Sequence, residues 1–129
     1  MLAQSKAFSG FAVDDLESAR EFYADTLGLD VKAINDPGLL NIRLAGGRDI
    51  LVYPKGDFEP ATYTILNFPV DDIDAAVDAL IERGVAFETY DGFGQDERGV
   101  SRNEGGPPIA WFRDPAGNIL SVLEESGPS

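Results

Sequence analysis

Phe11-Ala12-Val13-Asp14-Asp15-Leu16-Glu17-Ser18-Ala19 returns 57 residues later as Phe68-Pro69-Val70-Asp71-Asp72-Ile73-Asp74-Ala75-Ala76. Each stretch ends an apolar run, turns on a pair of aspartates and opens a helical pattern. Aspartate is a favoured N-cap, because its carboxylate accepts the unpaired N–H groups of the first turn. The acid there also suits the positive end of the helix dipole. The offset is close to half of the 129-residue chain, which predicts two copies of one supersecondary unit.

Reading outward, Ala7–Val13 is a strand whose Phe11 and Val13 share one face. Asp14 or Asp15 then caps a helix reaching about Thr26, with Leu16, Ala19, Phe22, Tyr23 and Leu27 on one stripe and Gly28 as its stop. Short strands follow at about Asp30–Ile34, Leu39–Leu44 and Asp49–Tyr53, separated by turns at Asn35-Asp36-Pro37-Gly38 and Ala45-Gly46-Gly47. Leu40, Ile42 and Leu44 alternate with Asn41 and Arg43, as in a sheet with one apolar face.

After the linker Lys55–Ala61, the plan repeats. Tyr63–Val70 is a strand. Asp71 or Asp72 caps a helix carrying Ile73, Ala76, Val77, Leu80 and Ile81, which Gly84 ends, and Val85–Asp91 is the next strand. Gly92–Gly106 is a long polar loop, read either as a binding lid or as a hairpin without a task. Pro108–Arg113 and Ile119–Glu124 flank the tight turn Asp114-Pro115-Ala116-Gly117. The expected fold is therefore α+β. Modules 7–54 and 62–124, each β-α-β-β-β, curl into an open barrel with helices outside. Together they form one domain, 1–125, and Ser126–Ser129 is a disordered tail.

Composition narrows the function. The net charge of −13 argues against nucleic acid, whose binding rests on Lys and Arg neutralising phosphates. It also attracts cationic ligands, although solubility alone accounts for such a charge. Zero histidines remove an imidazole base, a Ser-His pair and the usual nitrogen metal ligands. Carboxylates alone remain available for a hard cation. No apolar run is long enough to cross a membrane, and zero cysteines fit a cytoplasmic setting.

With these pieces assembled, the chain resembles the vicinal oxygen chelate superfamily, which includes the glyoxalase I, bleomycin-resistance and extradiol dioxygenase families. The marks are Val13-Asp14-Asp15-Leu16 leading to Phe22-Tyr23 and Leu27-Gly28, then Val70-Asp71-Asp72-Ile73, and above all Ala110-Trp111-Phe112-Arg113-Asp114-Pro115-Ala116-Gly117-Asn118. The resemblance places metal ligands of the metal-dependent members at Phe8, Leu51, Ile65 and Ser121. Those side chains imply a branch without the usual metal and without a cofactor.

Strand alternation supplies the expected cleft face. Its candidate ligand-binding residues are Phe8, Arg43, Tyr53, Tyr63, Asn67, Trp111 and Ser121. An aromatic surface with a few polar groups suits a small molecule, and it equally suits the filling of a barrel. Arg43 and Arg113 are also open to simple pairing with carboxylates. For acid–base work only Asp91, Glu97, Tyr53 and Tyr63 stand near that face, with no telling spacing.

Two functions follow. One is a metal-independent binding protein, similar to the bleomycin-resistance branch, taking an aromatic ligand, cationic ones included. The other is an isomerase or lyase acting without metal or through a relocated carboxylate site. The resemblance adds a homodimer, and neither nucleic acid nor membrane is an expected partner.

Overall fold

The computed structural model describes residues 1–34, 38–90, 92, 94–102 and 106–125. The turn residues Asn35, Asp36 and Pro37, the acid Asp91, the loop residue Glu104 and the tail Ser126–Ser129 lie outside the described residues. The chain divides into two compact units, Met1–Glu59 and Pro60–Ser129.

The first unit begins with a short 3-10 turn, Leu2–Gln4, followed by β1 (Ser9–Val13) and α1 (Leu16–Arg20). Then come β2 (Asp30–Ile34), β3 (Leu39–Leu44) and β4 (Arg48–Pro54). They form one sheet in the order β1-β4-β3-β2, with β1 parallel to β4 and the other neighbours antiparallel. Alternation decides the faces as the sequence suggested. Phe11, Val13, Leu40, Ile42, Ile50 and Val52 are buried, and with Ala19 and Tyr23 of the helix they make the core.

That first helix departs from the expected regular one. Past Arg20 it widens into a π-helical turn, Glu21–Thr26, in which the Leu27 N–H reaches Phe22 O at 2.9 Å. The wider turn seats Tyr23 in the core, its ring 5.6 Å from Phe11 and 5.2 Å from Phe22. Gly28 ends the segment at φ +74, where a side chain would be strained.

The second unit comprises β5 (Thr64–Val70), α2 (Ile73–Glu82), β6 (Ile109–Arg113) and β7 (Ile119–Glu124). Its sheet runs β5-β7-β6, with β5 parallel and β6 antiparallel to β7. β7 is central and buried on both faces over Ile119–Val122, while Ile73 and Val77 seat α2. Neither sheet closes on itself, so the chain is a mixed α+β protein with an open four-stranded and an open three-stranded sheet.

The second aspartate of each echoed pair is the cap. Asp15 sits at φ −138, ψ 110, and accepts from Glu17 and Ser18 N–H. Asp72 sits at φ −138, ψ 105, and accepts from Ala75 N–H. The duplication therefore reaches the backbone angles.

Two expectations need correction. Of the expected strand Val85–Asp91, the described residues 85–90 do not form a full strand. They meet β6 through the Phe87–Phe112 bridge and a 2.8 Å bond from Glu88 N–H to Trp111 O. Nor is the long loop a floppy hairpin over its described part. Val100 and Ser101 are buried, and Ser101 exchanges both backbone bonds with Ile109. Arg98 and Arg102 tie this segment to α2 through Asp74, and Arg98 also binds Asp78 at 2.5 Å. The carboxylates on the outer face of α2 thus hold down a loop whose composition alone looked mobile.

Candidate functional site

β6 turns Ala110 and Phe112 into the core, which leaves Trp111 and Arg113 on the opposite face. Register then sets their neighbours. Asn67, Ser121 and Trp111 form one row across β5, β7 and β6, and Thr64, Ile119 and Arg113 form the next. Over these rows lies a hollow of about 470 Å³ lined by Thr62, Tyr63, Thr64, Tyr90, Trp111 and Ile119. Tyr90 stands edge-on to Trp111, with ring centres 5.6 Å apart and planes at 76°. Two aromatic faces at a right angle offer stacking to a flat ring and cation–π attraction to a cation.

Two polar side chains on these rows, Ser121 and Arg113, are committed. Ser121 is fully buried and its hydroxyl donates to Asn67 Oδ1 at 2.6 Å. Arg113 binds Glu88 and donates to Gly117 O at 3.0 Å. The Glu88 carboxylate raises the Arg113 pKa further, against the opposing effect of burial. Arg113 is thus a fixed strut beside the pocket.

The seven candidate residues divide between the two units. Asn67, Trp111 and Ser121 share the second sheet and Tyr63 stands just before β5; Tyr63 and Trp111 line its hollow, and Tyr63 is 70% exposed. Phe8, Arg43 and Tyr53 belong to the first unit. Phe8 precedes β1 and is 68% exposed, and Tyr53 lies beside Ala12 on β4. Arg43 faces Asp30 on one neighbour strand and Asp49 on the other, donating to Asp49 at 3.2 Å. It lines a smaller polar hollow of about 220 Å³ with Asp30, Lys32 and Asn41. Of the acid–base candidates, Tyr63 reaches the larger hollow and Glu97 lies in an exposed turn.

The four positions the resemblance supplies for metal ligands hold poor donors. Phe8, Leu51 and Ile65 carry hydrocarbon side chains with no donor atom, and the Ser121 hydroxyl is turned to Asn67. The side chains present do not fit a metal there. Among the described residues no group of three Asp or Glu stands close enough to hold one elsewhere. No described helix is long and apolar enough to cross a membrane.

The model of the Glyoxalase/Bleomycin resistance protein/Dioxygenase superfamily matches residues 7–122. The chain belongs to that superfamily. The uncharacterized protein YraH of Bacillus subtilis (strain 168) is 29% identical over 125 residues, covering 87% of this chain and 91% of YraH. The crystal structure of TnmS3, an antibiotic binding protein from Streptomyces sp. CB03234, is 27% identical with a TM-score of 0.68, covering 95% of this chain and 98% of TnmS3. A superfamily member from Sphaerobacter thermophilus DSM 20745 is 25% identical with a TM-score of 0.70, covering 92% and 97%.

Sequence reasoning missed Tyr90, Thr62, Thr64 and Ile119 as lining residues of this superfamily member. Tyr90 had a signal. It shares parity with Glu88 in the segment after Gly84, opposite Phe87, so alternation alone placed the two on one face. Thr62 and Thr64 had none, because the β-bulge between Thr64 and Leu66 shifts their register.

Proposed function

We propose that this protein binds a small aromatic ligand, cationic ones included, without the help of a metal, in the manner of the bleomycin-resistance branch of its superfamily. The observation that carries this reading is the hollow walled by Trp111, Tyr90 and Tyr63 in a chain of net charge −13. The antibiotic-binding neighbour TnmS3, which matches nearly the whole chain, supports it. The field of the protein draws cations toward it at low salt, and the rings provide the contact that holds them. The expected setting is cytoplasmic and the expected state a homodimer.

Trp111 is the only tryptophan in the chain, so its emission reports on this hollow alone. Ethidium, a cationic aromatic dye, is expected to quench that emission saturably. The anionic dye 1-anilinonaphthalene-8-sulfonate is expected to bind at least about tenfold more weakly, the gap narrowing as salt screens the charge. Trp111→Ala, followed by calorimetry, is expected to weaken ethidium by about tenfold or more. Absence of saturable binding for every cationic, neutral and anionic aromatic tried sinks the proposal. Stoichiometric divalent metal in the purified protein, measured by elemental analysis, turns the reading toward an enzyme with a relocated carboxylate site.

A further inference from the structure

Tyr90 closes the pocket from a segment without the ladder of a full strand, so something other than strand pairing holds it. Beside the Glu88–Arg113 pair, the Gln95 side chain meets that need. The Gln95 amide donates to Glu88 O and to Gly99 O, each at 2.8 Å, and its carbonyl accepts the Tyr90 N–H at 2.5 Å. A carboxamide offers two donors and an acceptor in one plane. Here it takes the place of a neighbouring strand along 88–90.

Two features bring Gln95 to that position. Gly99 has φ +92, and a Cβ there would stand 3.1 Å from Phe87 Cβ and 3.2 Å from Glu88 O, so only glycine lets the loop lie this close. On the far side, Asp96 accepts the N–H groups of Arg98 (2.8 Å) and Val100 (3.0 Å), while Arg98 and Arg102 bind Asp74 of α2. The loop is therefore anchored on the helix independently of the pocket.

We infer that Gln95 is a positioning residue: it fixes the backbone of Glu88–Tyr90 and thereby holds the Tyr90 ring against Trp111, setting the width of the aromatic pocket. The effect on affinity rests on the ligand-binding reading above, whereas the effect on Trp111 does not. The decisive measurement is acrylamide quenching of Trp111 emission in ligand-free protein.

Gln95→Ala is expected to raise the quenching constant by at least about twofold, because a freed Tyr90 opens the indole to solvent. It is also expected to weaken ethidium about tenfold, as for loss of a half-buried amide's three bonds. In a Tyr90→Ala background, which leaves no side chain to hold over the indole, the same substitution is expected to add nothing. Wild-type quenching in Gln95→Ala, or an equal rise in the Tyr90→Ala background, overturns the inference. Should the alanine variant lose its thermal transition, Gln95→Glu is read in its place. It keeps the acceptor for Tyr90 N–H but sets a carboxylate oxygen against Glu88 O and Gly99 O in place of both donors, and is expected to raise the quenching constant as well. A rise of zero there overturns the inference too. Ethidium that fails to bind the wild type sinks the ligand reading and leaves the quenching result to decide on Gln95.

Discussion

In the first unit the strand after the helix, Asp30–Ile34, pairs with β3 along its whole length. In the second unit the segment in the same place, 85–90, keeps only the Phe87–Phe112 bridge and one further backbone bond to β6 among the described residues. Around this difference the two units match: both have a parallel pair of first and last strands, an antiparallel neighbour and an aspartate cap at φ −138. What the full strand gains in ladder bonds it gives up in freedom to place side chains. The relaxed segment 88–90 brings Glu88 onto Arg113 and Tyr90 onto Trp111, and the aromatic hollow lies there. The first unit, fully paired, offers a polar hollow among Asp30, Lys32, Asn41 and Arg43 instead. The duplication built two similar scaffolds, and the lapse in pairing made one of them an aromatic site.

The largest effects come from the cores that the comparison treats as equal. Tyr23 is fully buried in the first unit and Phe112 almost fully in the second. Tyr23→Ala and Phe112→Ala are each expected to cost about 3–5 kcal/mol in urea unfolding. A cost below about 1 kcal/mol for either would break the parallel between the two cores.

Next in size are the caps. Asp15→Ala is expected to cost about 1 kcal/mol, the usual value of a lost N-cap. Asp72→Ala should cost less. Asp15 accepts two backbone N–H groups and the Ser18 hydroxyl, whereas α2 shares its capping with Glu124, which accepts Ile73 N–H at 3.1 Å. Equal melting-temperature losses in the two variants would show that Glu124 adds nothing.

The smallest effect concerns the loop that the first unit lacks. Burial tends to raise the Asp96 pKa, but the N–H groups of Val100 and Arg98 and the nearby Arg98 and Arg102 charges outweigh it, leaving it below the ordinary 3.8. A carboxyl whose pKa is lowered on folding adds stability above its unfolded value, and that stability fades as the pH falls through the folded value. Asp96→Asn should therefore melt slightly below the wild type near about pH 7, by a few tenths of a kcal/mol for so exposed a group. The difference should vanish once the pH is well below 3.8. A difference that persists in acid would assign the loop's hold to Gln95 and the arginines alone.

The amino-acid sequence by itself determined the scaffold. The echoed Asp-Asp turns located both helix starts, alternation assigned the buried faces of β1, β3 and β4, and Gly28 and Gly84 marked the helix ends. These are local consequences of backbone sterics and of which side chains avoid water. The pocket was legible only in part. Trp111 was visible because its strand alternates cleanly, and Tyr63 because it is an aromatic at the mouth of β5, whereas Arg113 and Arg43 read equally well as ligand contacts or as ion-pair partners. Only the tertiary structure decided that Arg113 is a strut, that Ser121 is spent on Asn67, and that a polar loop is fastened to α2 and carries Gln95 to Tyr90. Each of those outcomes depends on groups distant in sequence meeting in space, and residue periodicity within one element carries no information about such a meeting.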